Sequence, residues 1–326
     1  MATRIFINGF GRIGRTITRM LLTEPHDIEI AGLNDIAALD TAAYLFAYDS
    51  VFGPFPGEVR ASPGVLHVGD KALPFSHAPD ISALDLGDVD LVLECTGRAE
   101  ARDVAERGLR AGAERVLISG PSGAADETIV LGANDARLTD QKIVSNASCT
   151  TNALAPLLRL LHDTCGITSG HMTTVHCYTG SQPTVDAPRG PLERSRAAAL
   201  SMVPTTTSAG RLLDVVLPEL AGRIEARAIR VPTASVSAID LTVQTGTPVR
   251  AEDINALMRK SAPLIGWTDL PLVSTDLRGR PESLIVDLRE TSVSVGGVLR
   301  VFGWYDNEWG FSARMLDMVR RMSARG

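Results

Sequence analysis

The chain has no apolar run long enough to span a bilayer, which takes about 20 residues in a helix, and this argues against an integral membrane protein. It lacks a strong excess of either charge: 32 Lys and Arg against 38 Asp and Glu give a net charge of −6. That balance argues against nucleic-acid or anionic-membrane binding driven by overall charge, while leaving room for a local basic site. Cysteine is scarce. The four residues, Cys95, Cys149, Cys165 and Cys177, have neither metal-ligand spacing nor the pattern of a small disulfide scaffold, so no metal is expected. They suit a reducing compartment, and a cytoplasmic location is expected. Met1 leads almost directly into a strand, with no signal-peptide pattern. There is no internal repeat, low-complexity tract or linker, and 326 residues are enough for two domains and a large core.

What is present starts with glycine. Residues 4–7 read as a buried strand. Gly9, Gly11 and Gly14 then give G-x-G-x-x-G running into a helix through Ile13, Ile17, Met20 and Leu21. Such glycines permit a tight turn, close backbone approach to a pyrophosphate and tight helix–strand packing. A second strand at 28–33 ends in Asn34-Asp35, with the acid about 20 residues past the last glycine, where it could accept hydrogen bonds from an adenosine ribose. Strand, glycines, helix, strand and acid together predict dinucleotide binding. Helices are expected at 38–48 and 99–110, strands at 89–94 and 115–120, and an antiparallel excursion at 50–80. Cys95-Thr96-Gly97 closes one strand with a small polar turn, the place where an open α/β sheet meets its ligand.

The second signal is Ser145-Asn146-Ala147-Ser148-Cys149-Thr150-Thr151-Asn152, between a short strand and an apolar-faced helix. Ser and Thr crowd the junction as capping residues do. A cysteine at a helix start is expected to have a lowered pKa and to favour the nucleophilic thiolate. Pro156 inside that helix predicts a kink or a restart. Strands are further expected at 167–179, 224–231, 235–245, 284–295 and 298–304, with helices at 209–217, 251–262 and 310–324. Residues 180–203 form a long irregular segment, and a loop of that length is usually functional. Of six histidines, His176 lies on a β-branched strand that ends in polar residues, where a lone histidine is more often structural than catalytic; Cys177 beside it should face the other way.

Four segments in order resemble the phosphorylating glyceraldehyde-3-phosphate dehydrogenase family: residues 7–15 (Ile-Asn-Gly-Phe-Gly-Arg-Ile-Gly-Arg), the Cys149 segment, Arg230-Val231-Pro232-Thr233, and Trp304-Tyr305-Asp306-Asn307-Glu308-Trp309-Gly310. The resemblance implies an α/β fold: a Rossmann-type doubly wound parallel sheet plus a mixed-sheet α+β catalytic domain. It implies an NAD-binding domain at 1–148, to which helix 310–326 returns, and a catalytic and oligomerisation domain at 149–309. Cys149 would attack the aldehyde, His176 would be the base, and inorganic phosphate would cleave the thioester to give 1,3-bisphosphoglycerate from D-glyceraldehyde 3-phosphate. NAD would be held by Gly9, Phe10, Gly11, Arg12, Ile13, Gly14, Asn34, Asp35, Thr96, Gly97, Ser119 and Asn307. Thr179 and Arg230 would hold the substrate phosphate, and Ser148, Thr150, Thr207 and Arg194 the incoming one. The loop at 180–203 would serve a homotetramer. Ala99 stands where the family commonly has an aromatic, Ser208 where it has a glycine, and Phe311 where it has a tyrosine. Relatives that oxidise erythrose 4-phosphate and release the acid with water are a second reading; Leu270–Ser274 and Phe311–Asp317 look somewhat like them, whereas Thr179 favours the triose phosphate. A dinucleotide-binding scaffold or thiol redox sensor is a third, opposed by the retention of every group the mechanism needs.

Overall fold

Strands rich in Ile, Val and Leu and buried on both faces are the mark of a parallel sheet covered by helices, and Leu91–Glu94 and Arg115–Ile118 are buried at every position. The computed structural model describes residues 2–324. Met1 and residues 325–326, at the outer edges of the expected domain ranges, lie outside the described residues. The chain divides into two units. One holds the residues up to Ile129, 136–147, and those from Ser312 on; the other holds 130–135 and 148–311.

The first unit is built on a sheet of nine strands among the described residues. In spatial order they are Glu127–Thr128, Ile143–Ser145, Arg115–Ile118, Leu91–Glu94, Thr3–Asn8, Ile28–Asn34, Lys71–Ser76, Val65–Val68 and Val59–Ser62. The first seven run parallel. The last two pairings are antiparallel, so the excursion expected at 50–80 is joined edge-on to the main sheet. Ile5, Ile7, Leu93 and Leu117 are completely buried in it. Helix Arg12–Thr23 follows the first strand directly. The helix expected at 99–110 is two four-residue helices, Arg102–Ala105 and Arg107–Arg110, that break at Glu106.

The second unit carries a mixed sheet in the order Val203–Thr205, Ile224–Val231, Ile167–Cys177, Ser237–Thr245, Val298–Tyr305, Leu284–Asp287 and Ile265–Thr268. Ile167–Cys177 runs parallel to Ile224–Val231 and antiparallel to Ser237–Thr245. The strand expected at 284–295 is interrupted: Leu284–Asp287 and Ser292–Val293 are separate. Helix Cys149–Cys165 runs through Pro156 without a restart. The proline removes one intrahelical bond, but Ala153, Leu154, Ala155, Leu157, Leu158 and Leu161 around it are all completely buried. Burying several leucines outweighs a proline penalty of about 3 kcal/mol. The final helix, Trp309–Ser323, begins in this unit and belongs to the first from Ser312 on. Among the described residues no helix is long and apolar enough to cross a membrane, and no cluster of His, Cys, Asp or Glu could hold a metal.

Candidate functional site

The glycine turn of the first unit is forced by contacts. Gly9 has φ +98°, and a Cβ there would lie 2.7 Å from the backbone of Cys95 and Thr96. A Cβ on Gly14 would lie 2.1 Å from the Gly9 carbonyl oxygen. Gly11 is different: nothing lies within 4 Å of where its Cβ would be, and as the residue preceding helix Arg12–Thr23 it gives no side-chain cap. An uncapped helix start below open space fits a diphosphate, whose charge the free N–H groups and the helix dipole would meet.

Asn8, Gly9, Gly11, Asn34, Asp35, Cys95 and Thr96 line a cavity of about 250 Å³ here, with Ile36, Ala78 and Pro79 among its other walls. Asp35 accepts the Phe10 N–H at 2.7 Å and the Ala37 N–H at 2.9 Å. Its carboxylate therefore ties the acid turn to the glycine turn. Phe10 is buried, its ring 5.8 Å from Phe46 and 5.7 Å from Phe75. Arg12 pairs with Asp49 and lies over the Phe52 ring, and neither Arg12 nor Ile13 lines the cavity. Gly97 takes φ +70° in the turn after Thr96. Ser119 sits at the end of its strand, its N–H on the Glu94 carbonyl. Ala99 is buried in the apolar cluster of this unit, where a larger aromatic would not fit without rearrangement.

In the second unit the nucleophile is placed by a helix start. Ser148 is the N-cap of helix Cys149–Cys165 and accepts from the Thr151 N–H at 3.2 Å. Ala147, completely buried, holds φ +55° one residue earlier. That backbone is uncommon for a residue with a Cβ and collects at functional turns. The opposing group comes from the sheet. Thr174 and His176, two apart on one strand, share a face, and register puts Arg230 beside His176 on the neighbouring strand.

The Cys149 Sγ lies 3.6 Å from the His176 Nε2. The His176 Nδ1 is 2.7 Å from the Cys177 carbonyl oxygen, and Arg230 donates to that same oxygen at 2.8 Å. Arg230 also places a guanidinium nitrogen 2.7 Å from that Nδ1, so the carbonyl and the guanidinium together hold this side of the ring and turn Nε2 towards the sulfur. Burial and the Arg230 charge push the imidazole down to about 4. Burial likewise pushes the Cys149 thiol above its ordinary value, against the Arg230 charge and donors at the helix start. This corrects the lowered thiol pKa expected from the helix start alone: desolvation outweighs the dipole. In this cavity desolvation thus works against the charged form of both groups.

Ser148, Cys149, Thr150, Thr174, His176, Arg194, Thr206, Thr207, Ser208, Ala228 and Arg230 line one cavity of about 420 Å³. Two guanidinium groups and six hydroxyl side chains with no carboxylate form an anion site. Arg194 is braced by Thr205 Oγ at 2.7 Å and by the Thr206 carbonyl at 2.9 Å. Of the residues expected to bind phosphate, Ser148, Thr150, Arg194, Thr207 and Arg230 come together; Thr179 does not line the cavity, and its hydroxyl is shared with Ser181. Asn307 is buried, accepting from the Cys177 thiol at 3.1 Å. Two residues were not anticipated. Tyr305, buried, bridges Thr150 at 2.9 Å and Thr174 at 2.8 Å through its hydroxyl, with its ring edge-on to His176. Thr174 could have been found from its i, i−2 spacing to His176; Tyr305 carried no such signal.

A nucleotide cradle and a thiol–imidazole pair in an anion pocket are the equipment of a thiol-dependent dehydrogenase, and that is the class this chain falls in. Residues 3–102 match the family model described as glyceraldehyde 3-phosphate dehydrogenase, NAD binding domain, and residues 148–307 match that family's C-terminal domain. The chain is 45% identical to the glyceraldehyde-3-phosphate dehydrogenase of Xanthobacter flavus over all of both chains. It is 44% identical to that of Cereibacter sphaeroides over 99% of both, and 41% identical to that of Geobacillus stearothermophilus over all of both. The chain belongs to the glyceraldehyde-3-phosphate dehydrogenase family, and its cofactor is NAD.

Proposed function

We propose that the chain oxidises D-glyceraldehyde 3-phosphate and phosphorylates the product, giving 1,3-bisphosphoglycerate, with Cys149 as nucleophile and His176 as base. The observation that carries this is the 3.6 Å approach of the Cys149 sulfur to the Nε2 of His176, inside a cavity lined by Arg194 and Arg230. His176 takes the thiol proton as sulfur attacks the aldehyde, gives it to the resulting alkoxide, and takes it again from the hemithioacetal hydroxyl as hydride leaves the carbon. NAD, when bound, supplies the hydride acceptor that turns this adduct into a thioester. Arg194 and Arg230, with the hydroxyls of Ser148, Thr150 and Thr207, hold the anionic groups of substrate and attacking phosphate. Gly9 to Gly14, Asn34, Asp35, Thr96, Gly97, Ser119 and Asn307 are assigned to the cofactor, with the open helix start at Gly11 as the diphosphate seat.

The remaining assignments are of the same kind. Residues 1–148 with the C-terminal helix are the NAD-binding domain and 149–309 the catalytic one. A homotetramer is supported by exposed Val185, Leu192, Leu200 and Met202 within the loop at 180–203, at 71, 88, 84 and 74% exposure. A cytoplasmic location is supported by four free thiols. NADH formation from glyceraldehyde 3-phosphate should require inorganic phosphate. Equal turnover on erythrose 4-phosphate without phosphate would replace this reading by the hydrolytic one.

A further inference from the structure

At the cofactor cleft of the first unit lies a row of polar side chains, of which Asn34 is assigned to the cofactor while Asn8 and Glu94 have no role above. Glu94, Asn8 and Asn34, at the carboxyl ends of three adjacent strands, are 3, 6 and 3% exposed. Asn34 Oδ1 accepts the Ala78 N–H at 2.8 Å, and its Nδ2 donates to the Ala78 carbonyl at 3.0 Å. Two backbone groups of one residue thus fix which end of the Asn34 amide is which. Its Nδ2 also reaches Asn8 Oδ1 at 2.8 Å, so the Asn8 Nδ2 must point the other way, and there it donates to Glu94 Oε2 at 2.5 Å. Glu94 Oε1 accepts both the N–H of Thr96, at 2.9 Å, and its hydroxyl. Among the described residues Glu94 has no cationic partner within salt-bridge range; its carboxylate is held by these three donors alone.

We infer that Glu94 and Asn8 are positioning residues for the dinucleotide cleft, forming with Asn34 a directional relay that locks the Thr96 turn to the Ala78 turn. Thr96 and Ala78 both line the 250 Å³ cavity. Every link alternates donor and acceptor, and each end is anchored on backbone, so no single amide can flip to absorb a change. A carboxylate, which only accepts, is required at one position of the Glu94–Asn8 pair, and an amide at the other. Gly9, whose missing Cβ lets the glycine turn rest on Cys95 and Thr96, makes the Thr96 turn part of the cradle wall. The inference rests on this cavity being the NAD site.

The order of donors and acceptors gives a reciprocal test. Glu94→Gln sets an amide N–H₂ against that of Asn8, and Asn8→Asp sets carboxylate against carboxylate. The double variant Asn8→Asp with Glu94→Gln restores the alternation with the same net charge. NAD dissociation constants are measured by calorimetry on the full chain. Amide exchange at Thr96 and Ala78 is measured without cofactor. Each single variant should weaken NAD at least about tenfold, the energy of one mispaired buried hydrogen bond, and should speed both amides. The double variant should return the constant to within about threefold of wild type and restore protection. Single variants that bind NAD as wild type does would overturn the relay, as would a double variant no better than the worse single one. Where a single variant fails to fold, recovery of a folded NAD-binding double variant supports the relay, and a double variant that also fails refutes it. If wild-type protein bound no NAD, the cofactor reading would fall, while the exchange data would still decide the relay.

Discussion

The sharpest consequence of the site is a pH dependence of stability that belongs to one residue. His176 is 5% exposed and its imidazole is pushed down to about 4 by burial and by Arg230. An unfolded chain protonates histidine near pH 6.5. Between pH 6.5 and about 4 the unfolded state therefore binds a proton that the folded state refuses, so stability falls as pH falls through that window. Below about 4 both states are protonated and the loss stops growing. The difference of about 2.5 pH units corresponds to about 3 kcal/mol. His176→Asn removes the titrating ring while keeping an amide that can donate to the Cys177 carbonyl. The assay is urea unfolding at one protein concentration, from about pH 7.5 down to about 4, for both proteins. The variant will be offset at pH 7.5 by its altered packing. On acidification wild type should lose more stability than the variant, the gap widening towards about 3 kcal/mol by pH 4. Parallel curves would refute the burial of a neutral imidazole here, and a wild type that gained stability on acidification would reverse the sign of the argument.

Three further outcomes follow from other contacts. Tyr305→Phe strips the hydroxyl that bridges Thr150 and Thr174, and should cost about 1–3 kcal/mol in unfolding free energy; an unchanged melting temperature would mean that the bridge is not holding the two threonines. Iodoacetamide should modify Cys149 first, because Cys165 and Cys177 are buried and burial pushes the Cys95 thiol up to about 12; peptide mapping that shows Cys95 reacting as fast would contradict this. Asp35→Ala removes the like charge that would face a 2′-phosphate, together with its bond to the Phe10 N–H, so NAD kcat/KM should fall and NADP kcat/KM rise. A variant as selective for NAD as wild type would move the discrimination elsewhere.

Much of the first unit was legible because its signals are local. The glycines at 9, 11 and 14 and the acid at 35 sit at fixed offsets from strand and helix, and close backbone contacts require the glycines at 9 and 14. The capping sequence around Cys149 was legible for the same reason, but its choice as nucleophile rested on the family resemblance. His176 needed the family resemblance, since nothing local separates it from a structural histidine. What escaped the sequence is what depends on register and burial. Tyr305 meets Thr150 and Thr174 across 155 and 131 positions of chain. The Glu94–Asn8–Asn34 relay exists only once three strands are paired. The thiol pKa was misjudged because the helix start can be read locally whereas desolvation cannot. That the helix does not restart at Pro156 depends on the buried leucines around it, which propensity does not count. Val203–Thr205 and Ile265–Thr268 are too short to show an alternation.

The proposed reaction is a covalent route through Cys149 that phosphate completes. Its direct test is NADH formation from glyceraldehyde 3-phosphate and NAD, with and without inorganic phosphate, by wild type and by Cys149→Ser, with NAD binding measured for both. Sustained turnover should need phosphate and should vanish in the serine variant, because an alcohol at that position is hardly ionised, while the NAD dissociation constant stays close to wild type. Turnover by the serine variant, or full turnover by wild type without phosphate, would contradict it.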